Sequence, residues 1–207
     1  MRRDDNQAMS ITEEIACSAA RLVVDEGLEY ASAKRRAARD LGRRSSRQAE
    51  LPSNEQLEDE VRRHIALFCA DTQPAELRAL REVALQWMQR LGEFRPHVSG
   101  AVWRGTATRL SAVHLDLYCD DTKAAELMLV NAGVEYDVGS IERHGAEPVS
   151  VLTVGSRSVA LGGLVSVHLM LRDLDEQRGA LKPDARGHSW RGDAAALQQR
   201  LLAEAAA

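Results

Sequence analysis

Residues 100–121, GAVWRGTATRLSAVHLDLYCDD, decide how the second half of this chain folds. A glycine turn at Gly100 opens the stretch. Gly105 and Thr106 follow, then Ser111, and then Val113-His114-Leu115-Asp116-Leu117-Tyr118. That last run alternates apolar and polar side chains with the period of two of a strand buried on one face. Val113, Leu115 and Leu117 are expected to face the core, with His114, Asp116 and Tyr118 on the opposite side. A later run repeats the pattern, with Val167, Leu169 and Leu171 inward and His168, Met170 and Arg172 outward.

Working outward, the spacing predicts a helix at Thr122 to Asn131, ending at Gly133. Strands are expected at Val134 to Val138, at Val149 to Val154, and at Ser158 to Leu171 with a turn or bulge at its glycines. Asp120 and Asp121 read as caps of the Thr122 helix, where acidic side chains meet exposed amides. Gly179 to Asp193 reads as a polar loop, and Ala194 to Ala206 as a final helix. Upstream of Phe94 the pattern is helical throughout. Ser10-Ile11-Thr12-Glu13 and Ser53-Asn54-Glu55-Gln56 are capping boxes that start two helices. Another helix runs from about Tyr30 to Leu41, and a fourth starts at Asp71 or Thr72 with Pro74 in its first turn. Gly42 to Pro52 reads as a mobile, arginine-rich loop. The division expected is a helical N-terminal region, 1–70, and an α/β domain, 71–207.

The chain has 207 residues, 44% hydrophobic and 28% charged, with a net charge of −4. This is the balance of a globular protein that buries a real core, and nothing in it demands nucleic acid or a membrane. No apolar run reaches membrane-spanning length, and MRRDDNQAMS lacks the apolar segment of a signal peptide, so a cytoplasmic location and no membrane partner are expected. Cys17, Cys69 and Cys119 are far apart and odd in number, which argues against a disulfide framework or a zinc ribbon. There is no GxxxxGK[ST], GxSxG, HExxH or GxGxxG.

The layout from Gly100 to Leu171 resembles nucleotidyltransferase-fold proteins. These combine a Gly-Ser turn, a short helix, and a serine leading into a strand whose two carboxylates hold Mg²⁺ on a triphosphate. Here the Gly-Ser pair reads Gly100-Ala101, and Ser-Asp-x-Asp reads Ser111-Ala112-Val113-His114. Other segments extend the likeness over nearly the whole chain. They are EIACSAARLVVDEGLEYASAKRRAARDLG, Leu51-Pro52-Ser53-Asn54-Glu55, Leu80 to Leu85 with Met88, Phe94-Arg95-Pro96, and Gly105-Thr106-Ala107. Together they are similar to a largely uncharacterised proteobacterial family of nucleotidyltransferase-like proteins. The strand pattern and the resemblance jointly imply an α/β (α+β) fold: a nucleotidyltransferase-like mixed sheet with helices, behind a helical N-terminal region.

The resemblance also places a site. Gly100, Ala101, Gly105, Thr106 and Ser111 would meet a nucleotide, with Arg186 and Arg191 of the C-terminal loop reaching its phosphates. Asp116 and His114 would be catalytic, and Asp116, His114 and His168 would hold a metal. The metal expected is Mg²⁺ or Mn²⁺, with Zn²⁺ ranked below them. One carboxylate and two imidazoles fit Mg²⁺ poorly, and each histidine also reads as an ordinary strand residue. Lys34, Arg35, Arg36, Arg39, Arg43 and Arg44, continued by Arg47, form the strongest local charge. They suit either an RNA or DNA backbone or a solvated helix face. Trp87 reads as core, whereas Trp103 suits base stacking and packing equally. The leading expectation is a degenerate nucleotidyltransferase-like domain that binds a nucleotide (an NTP) or nucleic acid, with transfer weak or absent. The alternatives are an active metal-dependent transferase using Asp116, and a protein-interaction or regulatory module.

Overall fold

The structure, a computed structural model, describes residues 9–42, 51–143, 146–183, 187 and 189–206. It divides into two compact units, Met1–Asp71 and Thr72–Ala207.

The first unit is helical: α1 (Ile11–Glu26), α2 (Tyr30–Asp40) and α3 (Asn54–Phe68). Both capping boxes form. Ser10 Oγ accepts from the Glu13 amide while the Glu13 carboxylate accepts from the Ser10 amide, and Ser53 and Gln56 repeat the exchange at α3. Gly27, at φ 70°, ends α1 in the left-handed conformation that a side chain would resist. Ile15, Ala19, Leu22 and Val23 of α1 share a core with Ala33 and Ala37 of α2 and Leu57, Val61 and Ile65 of α3. The alanines let the helix backbones approach closely, which is why α2 joins the core with so few large side chains.

The second unit is a mixed α/β fold. Its elements run α4 (Gln73–Arg90), β1 (His97–Ser99), α5 (Gly100–Arg104), β2 (Val113–Tyr118), α6 (Thr122–Asn131), β3 (Tyr136–Arg143), β4 (Ala146–Ser158), β5 (Gly163–Arg172) and α7 (Ala194–Ala205). The sheet order is β1-β2-β5-β4-β3, with β2 and β5 parallel and every other pair antiparallel. Val113, Leu115 and Leu117, with Val167, Leu169 and Leu171, face the core beside Leu152 and Val154 of β4. Leu77, Leu80, Val83, Trp87 and Met88 of α4 cover them, as do Ala125 and Leu129 of α6 and Leu197 of α7. Asp121 caps α6, accepting from the Lys123 amide at 2.9 Å.

The strands differ from the sequence reading in four ways. β3 starts at Tyr136 and runs on past Val138 to Arg143, paired with β4. β1 went unread because three residues are too few to show a period of two. β4 runs on through Gly155, Ser156 and Arg157, whose composition breaks the apolar alternation but whose backbone pairs with β5 as far as Ser158↔Gly163. The glycines read as a turn or bulge mark the reversal between β4 and β5, where Gly162 takes φ 67°. The C-terminal loop also adds to the sheet edge. Val98 and Gly192 exchange backbone hydrogen bonds of 2.9 and 3.0 Å.

That addition depends on a single missing side chain. Trp103 is buried and lies against Gly192, donates from Nε1 to the Ser189 carbonyl at 2.8 Å, and carries the Arg200 guanidinium 3.6 Å from its ring centre. Of the two readings of Trp103, the structure gives packing. A Cβ at Gly192 would fall inside the indole. Gly192→Ala is therefore expected to cost about 2 kcal/mol or more through overpacking. Gly92→Ala, where nothing stands within 4 Å, is expected to be neutral; urea melts of both variants check this.

Candidate functional site

The outer face of the sheet carries the candidate side chains, and register sets which of them meet. His114 of β2 pairs with His168 of β5, and His168 with Thr153 of β4. The two imidazole centres lie 5.1 Å apart, and His168 Nδ1 is 2.9 Å from Thr153 Oγ1. One row along, Asp116 sits between His97 of β1 and Met170 of β5. In the next row Tyr118 pairs with Arg172.

Asp116 is fully buried. A carboxylate taken out of water stays ionised only against positive charge and hydrogen-bond donors. Two arginines supply both. Arg172 Nε donates to Oδ1, and Arg191 Nε donates to Oδ2 at 2.6 Å. Arg172 stands diagonally across the β2–β5 pair, two residues beyond Met170, within reach of a long side chain. Arg191 arrives from the far end of the chain because its neighbour Gly192 is bonded to β1. The network then continues outward. Arg172 also meets Glu176, at 3.2 Å, in the short 3-10 turn after β5, and Arg143 grips the same carboxylate with two bonds of 2.9 and 3.0 Å. Three guanidiniums thus serve two carboxylates. The bonds from Arg143, with those from Arg172, hold the Glu176 pKa below its ordinary value.

The proposed metal set is brought only partly together. His114 and His168 are neighbours, but both oxygens of Asp116 point to arginines. Among the described residues no group of three or more His, Cys, Asp and Glu side chains is placed to hold a metal ion. Gly100, at φ 66°, lies against the His114 ring. It begins α5, with Ala101 half-buried beside it. The amides of Gly105 and Thr106 both donate to the Ala101 carbonyl, at 2.9 and 3.0 Å, closing α5. Ser111 Oγ accepts from the Thr108 amide at 3.0 Å and closes the next turn. These groups therefore shape the loop into β2. Arg186 lies outside the described residues.

In the N-terminal unit the basic helix splits by role. Lys34 Nζ donates to the Pro52 carbonyl and to Asn54 Oδ1, at 3.0 and 2.8 Å, so it ties α2 to the start of α3. Arg36 pairs with Glu26 at 2.5 Å and lies 3.7 Å from Asp40. Arg35 and Arg39, four residues apart on one helix face, are exposed. Arg43 and Arg44 lie outside the described residues.

Sequence reasoning singled out Asp116 and Arg191 but did not join them, and it read Arg172 only as an outward strand residue. The signal was present for Arg172: a buried strand aspartate needs a cation, and the diagonal position on the parallel neighbour is an arginine. No helix among the described residues is long and apolar enough to cross a membrane. Comparison with known proteins finds no family model and no curated protein that matches the chain.

Removing the central carboxylate leaves two guanidiniums facing each other. Asp116→Ala is expected to cost about 3 kcal/mol of stability, read from urea unfolding. Glu176 gives a pH dependence of known sign. Its folded pKa lies below the unfolded value of about 4.3, so its pairing stabilises fully above that value and is lost as pH falls through the folded pKa. Melting temperatures taken between pH 6 and pH 3 are expected to fall less steeply in Glu176→Gln than in the native chain.

Proposed function

We propose that residues 72–207 form a nucleotidyltransferase-like domain that binds a nucleotide or nucleic acid, with metal-dependent transfer weak or absent. One observation carries the reading. Asp116, the acid on the outer face of β2, has both oxygens committed to Arg172 and Arg191. A transferase needs open carboxylate oxygens to hold Mg²⁺ on the triphosphate. Here the same position is occupied by an internal salt bridge, and the surrounding network has more guanidiniums than carboxylates, which favours an anionic ligand. The order of strand β1, a short glycine-opened helix, the Asp116 strand, and a parallel β5 beside it supports the fold assignment, as does the resemblance noted from the sequence. In the N-terminal unit, exposed Arg35 and Arg39 suit phosphate contacts with RNA or DNA.

The test is calorimetric titration with ATP, GTP, CTP and UTP and with short RNA and DNA strands, each in EDTA, Mg²⁺ and Mn²⁺, beside Asp116→Asn. Saturable binding that persists in EDTA, without transfer of labelled nucleotide, is expected. Binding that requires metal and disappears in Asp116→Asn, together with measurable transfer, would replace this reading with an active transferase. No binding of any nucleotide or strand would leave an interaction module as the better account.

A further inference from the structure

A cleft of about 680 Å³ opens beside the His97 end of β1, lined by Arg95, His97 and residues from the 174–183 stretch. Its size is that of a small-molecule site. Its lining mixes two characters. Arg95, Arg178 and Lys182 are cationic and are opposed by one carboxylate, Asp175. Leu174, Leu181 and Pro183 are the larger apolar residues of the lining.

Local backbone contacts hold the residues that carry the cations. Arg95 is the one non-glycine residue with a positive φ, 48°, among the described residues. An arginine tolerates that conformation only at a cost, and such residues gather where position matters. Its Nη1 donates to Gln177 Oε1 at 3.0 Å, tying two lining residues together. Arg178 and Lys182 stand on successive turns closed by Arg178 N to Asp175 O, Ala180 N to Gln177 O and Lys182 N to Gly179 O. The Lys182 stem packs over Gly179, where φ is 88°. His97 Nδ1 lies 2.8 Å from the Arg95 carbonyl, which can only accept, so the ring proton is on Nδ1. Against His97, edge to face at 5.2 Å, stands Tyr118, whose hydroxyl is buried with no hydrogen-bond partner among the described residues. Burial, reinforced by Asp116, raises its pKa and keeps it protonated, a donor.

We propose that this cleft binds a mononucleotide, its phosphate against Arg95, Arg178 and Lys182 and its base against Leu174, Leu181 and Pro183. The inference rests on the nucleotide-binding reading above and adds the location and ligand class. A phosphate demands clustered cations with little competing acid, and a base demands an apolar wall within a few ångströms of them. No metal enters, since the cations neutralise the phosphate directly.

The full chain is titrated in EDTA with AMP, GMP, CMP and UMP, with inorganic phosphate, and with a short oligonucleotide. The same titrations follow on Arg178→Glu/Lys182→Glu, on Arg95→Gly and on Leu181→Ser. At least one monophosphate is expected to bind saturably, at least tenfold tighter than phosphate. The charge-reversed variant is expected to lose tenfold or more, and Leu181→Ser to weaken the monophosphate but not phosphate. Arg95→Gly is expected to lose affinity without a fall in melting temperature, since glycine relieves the left-handed backbone. Equal affinity for phosphate and monophosphate, with Leu181→Ser silent, would make this a plain anion site and overturn the assignment. Nucleotide affinity unchanged in all three variants would overturn the cleft while leaving the nucleotide-binding reading intact. Oligonucleotide binding that these variants weaken, with no monophosphate binding, would assign the cleft to a nucleic-acid backbone instead. No binding of any nucleotide or strand to the native chain would sink both readings.

Discussion

A carboxylate buried on a sheet face is the constraint around which the second unit is arranged. Asp116 has no access to water, so its charge is tolerable only where two donors reach both oxygens. One donor, Arg172, follows from β2–β5 register. The other, Arg191, requires the C-terminal loop to return to β1, and that return requires Gly192 beneath Trp103. A single desolvated charge therefore links the centre of the sheet, its edge and the last helix.

The same logic of paired or bonded charge holds the backbone at Trp103. Arg81 of α4 is buried and donates to the Val102 and Trp103 carbonyls; it also meets Glu204 of α7. Burial, with Arg200 nearby, lowers its pKa to about 10, so it remains charged at neutral pH. Arg200 covers the indole and donates to the Trp103 carbonyl at 2.6 Å. The end of α5 is thus satisfied by side chains from α4 and α7. This is how a helix of only five residues is kept in register with the strands on either side of it.

Much of the local structure could be read from the chain. Ser10–Glu13 and Ser53–Gln56 form the reciprocal caps that their spacing implies, and Asp121 caps α6. The alternation in residues 113–118 assigned Val113, Leu115 and Leu117 to the core, where they lie, but gave no sign that Asp116 and Tyr118 on the other face are buried too. β1 and the ends of β3 and β4 were not legible: β1 is too short to show a period, and the hairpin ends break the apolar alternation while their backbones still pair, Arg143 with Ala146 and Ser158 with Gly163. At the candidate site the residue types were visible but their partners were not. Asp116, His114 and His168 looked like one donor set because alternation puts them on one face. Only the register shows that the two histidines share a row while the aspartate sits in the next, between two arginines.

Where helices begin, which strand face is apolar, and that one acid and two histidines share the other face can all be read from the chain alone. Those follow from capping chemistry and side-chain period, which act over a few residues. The tertiary structure alone decided that the acid is an internal ion pair, that Trp103 is packed, and that Arg95 and Lys182 line one cleft. Each of those outcomes depends on bringing together residues dozens of positions apart. Desolvation and charge pairing act through space, and no local pattern records which distant partner will arrive.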